Sequence, residues 1–201
     1  MSVSSTYTSM TDEELMTEIQ AGNKQAFSSL YDRYSGMAVN FFYKMLWKDR
    51  EKAEDFMQDL FMKIVHKPEQ YDTSRPFKTW LFSVANNMCK NEYRKAEVRV
   101  KAAPEIFQSH NKTSANDGEQ AGDKKAFMSE LNTALGEMDQ VKRSVFIMRF
   151  KQGFSIREIS EVMECSEGTV KSRIFYTVKQ LNDKLADFKN IAGLLLIQLL
   201  V

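Results

Sequence analysis

Apolar residues recur along most of this chain at intervals of three and four, the spacing of one face of a helix. Thr11 to Glu14 has capping-box spacing and predicts a short helix to about Gln20, broken by Ala21-Gly22-Asn23. A long helix follows from Lys24 to Trp47, with Phe27, Leu30, Tyr31 and Tyr34 near its start and Gly36 as a soft point midway. Lys48–Glu51 reads as a charged turn. Lys52 to His66 then places Phe56, Met57, Leu60, Phe61, Ile64 and Val65 on one broad face, and Asp55, Gln58 and Asp59 together on the other.

Lys67–Pro76 is bracketed by two prolines and reads as a loop. Phe77 to about Lys101 lacks Gly and Pro and predicts a further helix. Trp80, Leu81, Val84 and Met88 form its expected core stripe, and Asn87, Lys90, Asn91 and Arg94 share the opposite face. Pro104–Gly122 is polar and nearly without apolar periodicity, which predicts a flexible linker. Helical pattern resumes from Lys124 to Lys151, with Leu131, Leu135, Val141, Val145, Phe146 and Met148 as core, and breaks at Gln152-Gly153-Phe154.

The stretch Ser155–Leu185 predicts two short helices joined by a tight turn. Ser155 and Glu158 have capping-box spacing, and Ile156, Ile159, Val162 and Met163 line one face. Glu164-Cys165-Ser166 is the turn, with Ser166 as the next N-cap. Val170, Ile174, Val178, Leu181 and Leu185 make one buried stripe; Thr169, Lys171, Ser172, Arg173 and Tyr176 lie off it, and Phe175 sits near the boundary. Such a pair can lay its second helix in the DNA major groove. The same pattern also suits an ordinary helical hairpin with a solvated basic face.

These elements predict an all-α protein of two small helical domains, residues 10–100 and 124–187, joined by a linker over 101–123 and followed by an apolar tail over 188–201. The scarcity of Gly (8) and Pro (3) in 201 residues favours the all-α reading. A formal net charge of +1 excludes a bulk polycation, so any nucleic-acid contact must come from local patches. The charge is in fact segregated. Asp49–Asp59 holds five acids and two bases, whereas Arg75–Lys101 holds seven bases and two acids.

Cys89 and Cys165 both fall in helical segments, which fits a reduced, intracellular, cytoplasmic protein. With two His (His66 and His110) and two Cys scattered along the chain, no metal-site spacing exists. There is no Gly-rich phosphate loop either, so no enzyme, cofactor or small-molecule substrate is expected. The first fifteen residues lack a basic start followed by an apolar run, so no signal peptide is expected. The apolar run Ile191–Val201 would reach about 17 Å as a helix, short of a ~30 Å hydrocarbon core. That tail suits either a last helix packed on its own domain or a docking strip for a regulator or a second copy.

Four segments, in order, resemble the extracytoplasmic-function (ECF) group of the sigma-70 family of bacterial RNA polymerase sigma factors. AFSSLYDRY (Ala26–Tyr34) resembles the start of region 2. AEDFMQDLFMKI (Ala53–Ile64) resembles its core-binding helix, matched by Asp55, Gln58, Asp59 and Phe61. FKTWLFSVANNMCKN (Phe77–Asn91) resembles the segment that follows, and FIMRFKQGFSIREISEVMECSEGTVKSRI (Phe146–Ile174) resembles the helix–turn–helix of region 4.

The resemblance implies a promoter-specificity subunit that binds core RNA polymerase and promoter DNA. Asp55, Gln58 and Asp59 would meet the clamp helices, and region 4 would meet the flap. Tyr71, Asp72 and Arg75 lie where the family places a −10 specificity loop, with Tyr71 to stack and Asp72 and Arg75 to bond base edges. Asn87 and Asn91 align with positions near −10 DNA, and Lys90 and Arg94 complete that basic face. Thr169, Lys171, Ser172, Arg173, Phe175 and Tyr176 would face the −35 element. Lys171 and Arg173 fit two roles there, guanine O6/N7 or phosphate. Tyr176 and Thr177 stand where many members carry Arg and Ala, so the −35 sequence is not transferable. An anti-sigma factor is a further implied partner.

Overall fold

The computed structural model describes residues 7–102 and 122–186. The expected linker, apart from its edges, and the apolar tail lie outside the described residues. Among these residues there are helices and no strand. After a helical turn at 7–9 come α1 (Asp12–Gln20), α2 (Lys24–Met45), α3 (Arg50–His66), a 3₁₀ turn (Pro68–Gln70) and α4 (Phe77–Ala102). The second half holds α5 (Gly122–Gly136), α6 (Gln140–Lys151), α7 (Ile156–Val162) and α8 (Glu167–Lys184).

Local chemistry sets most of these boundaries. Thr11 Oγ1 accepts the Glu14 amide at 3.2 Å and Glu14 Oε2 accepts the Thr11 amide at 2.8 Å, a complete capping box. Asn23, Asp49 and Asp139 each accept a first-turn amide of α2, α3 and α6. The Asp139 cap divides the expected helical stretch 124–151 into two helices, interrupted at residues 137–139. Gly36 leaves α2 unbroken. Gly153, at φ 69, turns the chain from α6 into α7 in a conformation that costs other residues about 1–2 kcal/mol.

The core positions also differ in places from the expected stripes. On α4 the buried set is Phe77, Leu81, Phe82, Ala85 and Cys89, while Trp80, Val84 and Met88 are only half-buried. The helix is covered on two sides, and the second partner is the other half of the chain. Phe82 packs edge-on to Phe41 of α2 at 5.4 Å and to Phe154 at 4.9 Å. On α3, Phe56 is half-buried and Val65 is 48% exposed, because the layer beneath stops at Ile64. Val141 and Ile156 are likewise only half-buried.

The two halves therefore share one core. Asn86 is fully buried and its Oδ1 accepts from Ser144 Oγ of α6 at 2.7 Å. Arg143, 3% exposed, donates to carbonyls at the end of α5 and also to the Tyr93 hydroxyl and the Met45 carbonyl.

The two cysteines differ in access. Cys89 is buried, and burial pushes its thiol far above the ordinary range; Cys165 is partly exposed. A thiol-reactive dye will label one site quickly in the native chain and two after denaturation. Fast labelling of Cys89 in the native chain would contradict this packing.

Candidate nucleic-acid interface

Helices α7 and α8 form the expected helix–turn–helix. Glu158 Oε2 accepts the Ser155 amide at 2.7 Å and Ser155 Oγ accepts the Glu158 amide at 3.1 Å. Glu164 makes the turn in a left-handed conformation at φ 51, and Ser166 Oγ accepts the Thr169 amide at 3.1 Å to start α8. The inner stripe of α8 is Val170, Ile174, Val178 and Leu181. Thr177 is buried with them, its hydroxyl donating to the Arg173 carbonyl at 2.7 Å.

The outer face presents Lys171, Ser172, Phe175 and Tyr176 openly. Phe175 and Tyr176 meet edge-on at 5.4 Å, at 64% and 59% exposure, an unusual pair to leave in water. Thr169 and Arg173 are half-buried; Thr169 is bonded to Ser166, and Arg173 Nη1 lies 3.4 Å from Cys165 Sγ.

The second basic surface runs along α4. Asn87, Lys90, Asn91 and Arg94 form one exposed stripe, with Arg94 Nη2 donating to Asn91 Oδ1 at 3.3 Å. Arg75 is exposed at the near end of this stripe. Asp72 Oδ1 accepts both the Ser74 amide at 2.9 Å and the Ser74 hydroxyl at 2.7 Å. These bonds hold its carboxyl below the ordinary range.

Tyr71 is a correction. Its ring is 2% exposed, wedged between Phe77 at 5.4 Å and Trp80 at 5.1 Å, and its hydroxyl donates to the Arg75 carbonyl. Burial, with Glu13, Asp12 and Asp72 nearby, pushes its hydroxyl well above the ordinary value. In this structure Tyr71 shapes the loop and offers no face for a base.

Two residues of α1, neither marked by any local pattern, hold this loop through long-range bonds. Gln20 Nε2 donates to the Pro68 and Tyr71 carbonyls at 3.0 and 2.9 Å. Glu13 Oε1 accepts the Phe77 amide at 2.9 Å, so a residue of α1 caps α4.

Helix α3 exposes Asp55, Gln58 and Asp59 together. Met62, 51% exposed, and Val65 continue that face. A shallow groove of about 460 Å³ follows, lined by Asp59, Met62, Lys63, His66, Lys67 and Gln70.

Family comparison matches residues 30–99 to Sigma-70 region 2 and residues 128–181 to Sigma-70, region 4. The ECF RNA polymerase sigma factor SigL of Mycobacterium tuberculosis is 30% identical over 154 residues, spanning 76% of this chain and 85% of that one. The chain belongs to the ECF group of the sigma-70 family. The ECF RNA polymerase sigma-E factor of Haemophilus influenzae is 28% identical across 88% of this sigma factor and 96% of its own length. The sigma factor RpoE of Bartonella quintana, solved in complex with the anti-sigma factor NepR, shares the fold at a TM-score of 0.65 and 24% identity, over 80% of this chain and 96% of that one.

As an RNA polymerase sigma factor, the protein directs promoter recognition and transcription initiation. The region 2 match takes in α3, nearly all of α4 and the loop between them, and the region 4 match takes in α6, α7 and nearly all of α8. Val65 escaped the sequence reading because a helical period counts an apolar residue as core, and Met62 was assigned to neither face. Only the missing layer over them shows otherwise.

Proposed function

We propose that the three exposed faces divide the work of initiation. The α3 face of Asp55, Gln58 and Asp59, extended by Met62 and Val65, docks on the polymerase clamp helices. An acidic rim beside exposed methionine is the composition of a protein interface rather than of a nucleic-acid one. The stripe Arg75, Asn87, Lys90, Asn91 and Arg94 takes the −10 strand, with Asp72 ordering the loop through its bonds to Ser74. The α8 face of Lys171, Ser172, Phe175 and Tyr176, flanked by Thr169 and Arg173, takes the −35 element, and region 4 meets the flap.

The observation that carries this reading is the separation of charge onto different exposed faces: the acids of α3 together, the bases of α4 together, both clear of the core. The protein acts without catalysis of its own, in the cytoplasm where core polymerase works. An anti-sigma factor, of the kind bound to the Bartonella relative, is a further partner in this reading. Each DNA face holds weakly alone, and polymerase raises the avidity by engaging both.

Run-off transcription with core enzyme on a genomic promoter library tests the reading. Activation of a two-element promoter is expected; no activation together with no core association would end it. Alanine at Arg75, Asn87 and Asn91 should erase discrimination between −10 variants. Lys171→Ala should weaken binding to every −35 sequence alike and lower the slope of log affinity against log salt by about 1. Loss confined to one −35 base would instead make Lys171 a base reader.

A further inference from the structure

Of the six side chains proposed for the −35 element, three already hold partners inside their own domain. Thr169 Oγ1 shares a bond with Ser166 Oγ at 2.9 Å, Ser172 Oγ donates to the Gly168 carbonyl at 3.0 Å, and Arg173 Nη1 donates to Cys165 Sγ at 3.4 Å. What α8 presents outward is therefore Lys171, Phe175 and Tyr176. Lys171 and Lys179, both exposed, lie one turn before and one turn after Phe175, so the two rings stand between two cations.

The rings are 64% and 59% exposed and meet edge-on at 5.4 Å, with 77° between their planes, so each limits the swing of the other. Promoter phosphates would be drawn to the lysines and offer nothing apolar to a ring. The base edges in the major groove are hydrogen-bonding groups with one alkyl exception, the C5-methyl of thymine. A helix held in the groove by cations on both sides of its aromatic pair would cover that methyl, and the methyl would cover the ring.

We propose that Tyr176, braced by Phe175, reads thymine in the −35 element through its C5-methyl group. The inference rests on the assignment of α8 to −35 DNA and names the base which that face selects. An aromatic ring makes no bidentate pair with guanine O6 and N7, so the position under Tyr176 favours a T·A pair, with thymine on the strand nearer the ring, over a G·C pair.

Deoxyuridine pairs as thymidine does and lacks only this methyl, so it isolates the contact. The probe is a promoter that the full chain activates with core polymerase, resynthesised with deoxyuridine at each −35 thymine in turn on either strand. The holoenzyme should bind about fourfold more weakly at one or two of these positions, the value of one buried methyl group, and equally well at the others. Tyr176→Ala should lose that difference. Tyr176→Phe keeps the ring and should keep it. Phe175→Ala removes the brace and should shrink it below about twofold. Lys171→Ala should weaken the thymine and deoxyuridine duplexes alike and leave their ratio unchanged. These side chains are exposed, so each variant should hold the parent Tm to within about 2 °C.

Equal binding of thymine and deoxyuridine duplexes at every position would overturn the inference while leaving α8 on the −35 element. A fourfold difference that survives in Tyr176→Ala or Phe175→Ala would do the same, because another group would then be reading the methyl. Loss of the difference in Tyr176→Phe would also overturn it, since the hydroxyl and not the ring would be the reader. If Lys171→Ala and Tyr176→Ala both bind −35 duplexes as the parent does, α8 is not the −35 face, and the inference falls with that assignment.

Discussion

Replacing Asp55, Gln58 and Asp59 together by alanine is expected to abolish promoter-directed transcription while leaving the protein folded. All three side chains are exposed on α3, with the buried layer of Met57, Leu60, Phe61 and Ile64 beneath them untouched. Surface changes of this kind move stability by less than about 0.5 kcal/mol each. At an interface, truncating one partner of a desolvated charge pair costs about 2–5 kcal/mol, or about 30- to 4000-fold in affinity. Core association of the triple variant should therefore fall by about 100-fold or more. Isolated −35 duplex binding through α8 should be unchanged. Gel-filtration co-elution with core enzyme and run-off transcription measure the two sides. Full transcription from the triple variant would remove α3 from the polymerase interface.

The second large effect concerns folding. Arg143→Met keeps the side-chain length and deletes every donor of a buried fork. In the native chain Arg143 Nε reaches the Leu135 carbonyl at 2.8 Å, Nη2 serves the carbonyls of Gly136 and Met138, and Nη1 lies 2.5 Å from the Tyr93 hydroxyl. Its guanidinium also lies 5.6 Å from the Tyr93 ring centroid. Leu135 and Gly136 close α5 and Met138 follows in the turn; the Leu135 carbonyl also accepts the Met138 amide at 3.3 Å, so the variant leaves the Gly136 and Met138 carbonyls without this donor, at about 1–3 kcal/mol for each that stays shielded from water.

A net loss of about 3 kcal/mol is expected, a large share of a typical 5–15 kcal/mol stability. At about 2–4 °C per kcal/mol for a chain of this size, Tm should drop by about 6–12 °C. Arg143→Lys should rescue little, since an ammonium cannot reproduce the planar fork. A Tm shift under about 2 °C by circular dichroism would show that the network adds nothing to stability.

The contrast between Arg143 and Asp55 shows where sequence reasoning reaches and where it stops. Helix starts were legible because capping is local: Thr11 with Glu14 and Ser155 with Glu158 announce themselves within four residues. The turn at Glu164 and the inner stripe of α8 were legible for the same reason. The polar trio on α3 could be read because an exposed face shows as a break in apolar periodicity.

Nothing local marks Arg143 as buried, since its partners Met45 and Tyr93 lie far away in sequence. Asn86 and Asn87 are adjacent and chemically identical, yet the first is buried against Ser144 and the second faces solvent. No local pattern separates them. The offset of the α4 core stripe has the same origin. A stripe predicted against one neighbour shifts when a second neighbour, here Phe154, covers an adjoining side. The stacking role of Tyr71 came from the place of its loop in the family resemblance, which carries no sign that Phe77 and Trp80 enclose the ring.

Helix α1 touches none of the surfaces proposed to meet DNA, yet it holds the −10 loop at both ends, through Gln20 at Pro68 and Tyr71 and through Glu13 at the first amide of α4. If the loop and α4 face take the −10 strand as proposed, promoter preference depends in part on Glu13 and Gln20, which lie outside that face. Libraries that randomise only DNA-facing side chains will leave these two residues constant and hold the loop in one pose. Engineers seeking a shifted −10 preference have a mechanical adjustment available at Glu13 and Gln20, where shortening a side chain by one methylene would loosen the tethers at Pro68, Tyr71 and Phe77 while leaving every residue of the proposed DNA face in place.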